Sequence, residues 1–338
     1  MLILSNSLTQ VDDEGGLKLA TSIVKRIKQK DGNTYVATFE REFAQSDVHL
    51  TLNKFHVSRQ LISLIRKQAQ PVLYIPFPAP TTSMAIRIRL LSLVTKKGLK
   101  VMLVRQYPMS KFAQRLLKGS KAEVVVFSKK AQEFYSEIVG DRTLYLKTGI
   151  DTEKFVPVSS EKSKELKVKY GFSPDKPVVL HVGHMKEGRN VRELMKISDK
   201  YQVVLVVSTL SKERQNEQLR QELTSCPNIR ILDGYLPDIE EIYQLSDVYF
   251  FPVKQVGHCI DVPLSCLEAA ACNKPVITTD YGEMREFVGK DGFNFIDEIE
   301  SETLNESIET ALNSVGYDTR SAVLEYDWSK AVEALTTL

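Results

Sequence analysis

The chain has 338 residues, 43% of them hydrophobic and 26% charged, with a formal net charge of +2. That length suggests two domains of ordinary size, and the composition excludes a disordered or fibrous chain. No apolar run reaches the ~18 residues of a transmembrane helix, and the first residues, Met1-Leu-Ile-Leu-Ser-Asn-Ser-Leu, lack the basic start of a secretory leader, so a cytoplasmic location is expected. Strand-like apolar runs fall at Leu2–Ser5, Val72–Ile75, Val101–Val104, Val124–Phe127 and Leu144–Leu146. A second set follows at Val178–Val182, Val203–Val207, Ile229–Leu232, Val248–Phe251, Pro275–Thr279 and Phe293–Phe295. Helical stretches separate them, among them Leu17–Gln29, Ser83–Lys97, Lys111–Leu117, Val191–Ser198, Lys212–Thr224, Ile239–Leu245 and Ser265–Ala271. Continuous apolar strands alternating with helices predict α/β architecture, with parallel sheets covered on both faces. The Ser-, Lys- and Glu-rich stretch after Val156 reads as a linker.

Charge is unevenly spread. Met84–Lys130 holds twelve Lys or Arg against the one acid Glu123, whereas Arg230–Leu338 holds seven basic against twenty-one acidic residues. The basic stretch is either a docking face for an anionic membrane or lipid phosphate, or an ordinary solvated surface. No nucleic-acid recognition motif accompanies it. The four cysteines, Cys226, Cys259, Cys266 and Cys272, form no Cys-x-x-Cys pair, which favours free thiols in a reducing compartment over disulfides or a zinc site.

Two segments carry chemistry by residue type and spacing. In Val178-Val-Leu-His-Val-Gly183-His184-Met-Lys186-Glu-Gly188-Arg189-Asn190-Val-Arg192, a strand ends at Gly183 and a helix is expected from about Asn190. The glycines let backbone approach a ligand, and Lys186, Arg189 and Arg192 place cations near the loop. A diphosphate requires such fixed N–H dipoles plus a cation; a generic surface loop is the alternative. The second segment is Asp261-Val262-Pro263-Leu264-Ser-Cys-Leu-Glu268-Ala-Ala-Ala-Cys-Asn273-Lys274-Pro275, continuing to Gly282. It sets one carboxylate, Glu268, in a small-residue helix at the mouth of a parallel sheet, where a nucleotide can lie. A buried carboxylate there needs hydrogen bonds from a ligand or from N–H groups; an exposed Glu on an ordinary αβ unit is the alternative.

Asp261–Gly282 resembles the donor-site segment of retaining, nucleotide-sugar-dependent glycosyltransferases of family four, the GT-B type with two Rossmann-like domains. Other segments resemble the same family. Lys147-Thr148-Gly149-Ile150-Asp151, leading to Phe155-Val156-Pro157, is similar to its interdomain hinge, with Gly149 expected to supply a left-handed turn. The Gly183–Asn190 loop is similar to its phosphate loop, with Arg189 at the family's Lys position and His184 in place of its Arg. The loop after Gly234 usually touches the nucleobase in that family, so Tyr235 is read as a stacking residue or as packing. Leu324-Glu-Tyr326-Asp327-Trp328 resembles the start of its final helix, which crosses back to the first domain. Thr9–Lys18 is similar to its acceptor-side loop, with Gly15 and Gly16 behind the donor phosphates and Asp12, Asp13 and Glu14 towards acceptor hydroxyls or solvent.

The chain also departs from the family. The Glu normally eight residues before Glu268 is Ile260 here, followed by Asp261 and by Pro263, which offers no N–H. Asp261 either replaces that Glu or caps the following helix. Ile260, Val262, Leu264 and His258 then line the donor side by resemblance, with a structural His258 as the alternative. Lys129 at a cleft edge and His56 as cleft lining or helix surface complete the candidates.

The resemblance implies an acceptor-side domain at 1–155, a linker at 156–170, a donor domain at 171–320 and a returning helix at 321–338. It implies transfer of a sugar from a nucleoside-diphosphate sugar to a glycan or lipid-linked acceptor, with retention and with neither metal nor cofactor. Glu268 would hold the ribose or nucleotide, with Arg189, Lys186 and Asp261 at the reacting end. A nucleotide-sugar epimerase or a non-catalytic binding protein on the same fold are the other readings. No Gly-x-Gly-x-x-Gly follows a strand, which disfavours a dinucleotide oxidoreductase.

Overall fold

The structure is a computed structural model and describes every residue except 7, 10–14, 40–41, 52–57, 78–80, 105–108, 208–215 and 338. The candidates Asp12, Asp13, Glu14 and His56 lie outside the described residues. The chain divides into two units, Met1–Thr148 with Trp328–Leu338, and Gly149–Asp327.

The first unit is built on a parallel sheet of β1 (Leu2–Ser5), β2 (Tyr35–Thr38), β3 (Val48–His49), β4 (Val72–Ile75), β5 (Leu99–Met102), β6 (Glu123–Val126) and β7 (Thr143–Tyr145), in the order β3-β2-β1-β4-β5-β6-β7. Strands β1 and β4 are buried at every residue, as expected of apolar runs covered on both faces. Strands β2 and β3 escape a sequence reading: β2 follows the turn Asp31-Gly32-Asn33, and β3 is only two residues long. The helices are α1 (Gly15–Lys30), α2 (Arg59–Gln68), α3 (Thr82–Val94), α4 (Lys111–Lys118) and α5 (Lys129–Val139). Ser58, Thr81, Ser110 and Ser128 cap α2 to α5, each accepting the N–H three residues on.

The second unit carries β8 (Val178–Gly183), β9 (Gln202–Val207), β10 (Ile229–Asp233), β11 (Val248–Phe251), β12 (Val276–Thr278) and β13 (Phe293–Phe295), all parallel, in the order β10-β9-β8-β11-β12-β13. This is the doubly wound Rossmann order, and its direction reverses between β8 and β11. The helices are α6 (Ser160–Lys169), α7 (Glu217–Thr224), α8 (Ile239–Leu245), α9 (Leu264–Ala271), α10 (Ser301–Asn313) and α11 (Thr319–Val323).

Two expectations need correction. Most of the expected linker at 156–170 is α6, capped by Ser159 and pinned where Lys167 Nζ donates to Asp247 at 2.7 Å. The helix expected at Val191–Ser198 is instead a 3-10 run, Val191–Lys196, entered through the left-handed Asn190 (φ 53°). Gly149, expected to supply a left-handed turn, has φ 158°, at the extended edge of the positive-φ range that L side chains rarely adopt. It is glycine for steric reasons: a Cβ there would lie 2.8 Å from Leu264 and 2.9 Å from Leu267.

The last helix, α12 (Trp328–Thr336), belongs to the first unit and packs on α1. Trp328 is fully buried under the Arg26 guanidinium, 5.8 Å from the ring centre. Lys100 Nζ donates to the Ala334 and Thr337 carbonyls at 3.3 and 3.2 Å, satisfying the helix end. The segment before Trp328 stays in the second unit, where Asp327 accepts from Thr152 N at 3.1 Å and Thr152 Oγ1 at 2.6 Å.

Candidate functional site

In doubly wound sheets a ligand lies beyond the carboxyl ends of the strands where the order reverses. In the second unit that point is the end of β8 beside the end of β11, and the two predicted segments meet there. Strand β8 ends at Gly183, and the chain turns through a 3-10 turn at Glu187–Arg189. Asn190 Nδ2 then donates to the Pro252 carbonyl just past β11 at 3.0 Å, tying the two loops together. Gly188 lies against the His258 ring, since a Cβ on it would fall 2.1 Å from ring atoms. His258 itself is exposed.

The cations of this loop have different fates. Arg192 is committed to Glu187, at 2.9 Å, and to Glu222. Lys186 is half-buried at the start of the turn. Arg189 is 9% exposed, and among the described residues no carboxylate pairs with it. Burial lowers the His181 pKa and the Arg189 charge adds to that, whereas burial raises the Cys266 thiol and the Tyr281 hydroxyl and the Arg189 charge only opposes the rise. A buried guanidinium without a counter-ion is costly, and an anion docked at this loop would offset that cost.

On the other side of the site, α9 starts after Pro263, whose position as N-cap carries no side-chain hydrogen bond. Asp261 stands two residues ahead of that position rather than at it. Its carbonyl instead accepts from Glu283 N at 2.8 Å, a contact that requires Gly282 at φ 55°, because a Cβ there would meet the same oxygen at 2.1 Å. Ile260, Val262 and Leu264 are buried, and Val262 and Leu264 pack beside Gly149.

Glu268 lies in α9 and is 4% exposed. The Tyr243 hydroxyl of α8 donates to its Oε2 at 2.7 Å. Tyr243 is itself wedged edge-on against Phe155, with ring centres 5.5 Å apart. Burial, and then the Glu268 charge, push the Tyr243 pKa well up, so the hydroxyl stays a donor. One carboxylate oxygen is thus fixed from below. Burial likewise pushes up the Cys266 and Cys272 thiols, and all four cysteines are free.

Gly183, His184, Lys186, Arg189, His258, Ile260, Asp261, Val262, Leu264 and Glu268 thus cluster on the β8, β11 and α9 side of one unit. Tyr235 stands exposed after Gly234 (φ 111°), rather than packed in a core. Gly15 and Gly16 open α1 in the first unit, and Lys129 is exposed at the start of α5. Among the described residues no group of His, Cys, Asp or Glu is placed to hold a metal. Two participants escaped the sequence reading: Tyr243, and His181 within β8. The signal for His181 was one polar residue inside an apolar strand.

Residues 162–326 match the family described as Glycosyl transferases group 1. The N,N'-diacetylbacillosaminyl-diphospho-undecaprenol alpha-1,3-N-acetylgalactosaminyltransferase of Campylobacter jejuni is 32% identical over 144 residues, 39% of this chain and 34% of that protein. The chain spans less than half the length of the first curated relatives it matches. A glycosyltransferase from Rickettsia africae superposes over 99% of this chain and 96% of its own, with a TM-score of 0.77 at 16% identity. HepE of Anabaena in complex with UDP-glucose superposes over 100% of both chains, with a TM-score of 0.73 at 16% identity. The fold is the GT-B type, α/β with two Rossmann-like units.

Proposed function

We propose that this chain, whose residues 162–326 match the glycosyl transferases group 1 family, is a glycosyltransferase moving a sugar from a nucleoside-diphosphate sugar to an acceptor hydroxyl. The observation that carries this reading is Arg189, a buried cation without a carboxylate partner among the described residues, at the reversal point of a Rossmann sheet. A diphosphate is the anion that fits a glycine-flanked loop there. Arg189 and Lys186 would meet the charge that grows on the leaving diphosphate, which is where fixed cations accelerate the reaction. Glu268, held by Tyr243, would accept hydrogen bonds from the nucleotide's ribose. Asp261 and the backbone of Ile260–Leu264 would face the donor sugar. The reading includes retention of configuration and no metal requirement, since the cations supply the charge.

A thermal-shift screen against UDP, GDP, ADP and their sugar conjugates, with and without magnesium, tests it. A ligand that binds only the native state raises the unfolding midpoint. The expected result is a rise with one nucleotide, the same in both magnesium conditions. No rise with any of them would overturn the donor site, and a rise only with magnesium would overturn metal independence.

The acceptor in this reading is lipid-linked or another glycan, met at the cytoplasmic face of a membrane. Support comes from the first unit and from the diphospho-undecaprenol in the name of the Campylobacter relative. Helices α3 and α4 pack together and expose Leu93 (68%) and Phe112 (56%) near Lys96, Lys97, Lys111, Arg115 and Lys118. Cations with protruding apolar side chains suit an anionic lipid surface. No helix among the described residues is long and apolar enough to cross a membrane. Co-sedimentation with phosphatidylglycerol-containing vesicles should exceed that with phosphatidylcholine alone and should fall in Phe112→Ala. Equal partition into both vesicle types would remove the membrane from the reading.

A further inference from the structure

Arg189 needs to be aimed as well as charged, and the residue placed to aim it is His181. This histidine lies in the middle of β8 and is 0% exposed. Its Nδ1 is 2.9 Å from the Phe250 carbonyl of β11. A carbonyl can only accept, so Nδ1 carries the ring proton and Nε2 keeps a lone pair. That Nε2 is buried and has no hydrogen-bond partner. Burial pushes the ring pKa down to about 4, and the Arg189 charge acts in the same direction, so the imidazole is neutral at physiological pH.

The lone pair and the guanidinium flank one small gap. A Cβ on Gly183 would sit 3.0 Å from His181 Nε2 and 3.6 Å from Arg189 Nη1. Arg189 Nε is also buried without a partner. The unfilled His181 acceptor and a terminal nitrogen of Arg189 therefore both border the space that glycine leaves open. The chemistry of this pairing differs from the usual carboxylate anchor of an arginine. A carboxylate would orient the guanidinium but cancel much of its field, whereas a neutral imidazole orients it and leaves the whole positive charge to the ligand.

We propose that His181 is a positioning residue for Arg189: its Nε2 accepts an Nη1–H of Arg189 when a diphosphate docks, fixing the guanidinium without neutralising it. The inference rests on the donor-site reading above and adds to it a residue that does not itself touch the substrate. An ordinary core histidine, satisfied at Nδ1 alone, is the competing account.

The test is a double-mutant cycle on the full chain, with dissociation constants for UDP, GDP and ADP measured by calorimetry for wild type, His181→Phe, His181→Gln, Arg189→Ala and the two double variants. Phe keeps a ring but offers no acceptor, whereas Gln restores one near the Nε2 position. His181→Phe should weaken the nucleotide that binds by roughly tenfold, the size of one hydrogen bond to a charged group. His181→Gln should recover most of that loss, and neither change should matter once Arg189 is Ala. An equal loss with and without Arg189, or no loss in His181→Phe, overturns the pairing while leaving the donor site standing. If Arg189→Ala and wild type bind every nucleotide equally, the donor-site reading fails and takes the pairing with it. Should His181→Phe not fold, imidazole nitrogen NMR of the wild type decides. The Nε2 resonance should move on nucleotide saturation while Nδ1 stays protonated; a stationary Nε2 resonance overturns the proposal.

Discussion

Glu268→Ala is expected to lose most transfer activity while the protein still folds. A carboxylate that accepts from the ribose makes charge-assisted bonds of about 1.5–3 kcal/mol each. Losing about 3 kcal/mol of transition-state binding corresponds to a fall of roughly 150-fold in kcat/KM. The structural cost is smaller. Removing the side chain leaves the buried Tyr243 hydroxyl without the 2.7 Å partner described above, a penalty of about 1–3 kcal/mol. Across a unit of this size that corresponds to a drop of several degrees in unfolding midpoint, at about 2–4 °C per kcal/mol. Glu268→Gln separates the two effects, because its amide oxygen can still accept from Tyr243 and stability should return more fully than activity. Steady-state transfer assays beside circular dichroism melts provide the check. Wild-type turnover in Glu268→Ala would remove Glu268 from the site, whatever the melting curves show.

The parts of this molecule that could be read in the sequence are those whose cause is local. Strands β1, β4, β8 and β11 are continuous apolar runs, and burial on both faces is the only stable use for them. Glu268 stands out as a lone carboxylate in a small-residue helix within a segment that resembles a donor site, although the pattern alone also allows an exposed Glu on an ordinary αβ unit. What could not be read depends on partners far along the chain. Residues 156–170 have linker composition, yet Lys167 finds Asp247 eighty residues away and α6 becomes part of the second unit. The Val191–Lys196 segment has helical periodicity, but it winds as a 3-10 run entered from the left-handed Asn190, whose side chain is tied to the Pro252 carbonyl. The same holds at the site. Tyr243 acquires a role only when α8 brings it to Glu268, and His181 only when β11 supplies the Phe250 carbonyl. A local pattern can nominate a charged group, but it does not identify the neutral group that holds it.

Arg189→Ala should weaken nucleoside-diphosphate binding by about 1.5–3 kcal/mol, a factor between roughly 10 and 150 in the dissociation constant. The sign of its effect on the ligand-free protein is what makes the variant informative. An arginine kept for stability is paired, and its removal destabilises by leaving a buried partner charge exposed to an apolar surrounding. Arg189 is 9% exposed, and among the described residues no carboxylate depends on it. Removing it relieves an uncompensated buried charge, so the unfolding midpoint without ligand should hold or rise, while the rise induced by nucleotide shrinks. Arg189→Lys should fall between wild type and Ala, since an ammonium keeps the charge but loses the planar fork that grips two phosphate oxygens. Calorimetric titration and ligand-free melting curves on the three proteins measure both quantities. A lower ligand-free midpoint with an unchanged dissociation constant would make Arg189 a structural residue, and the site would lose the cation on which its chemistry depends.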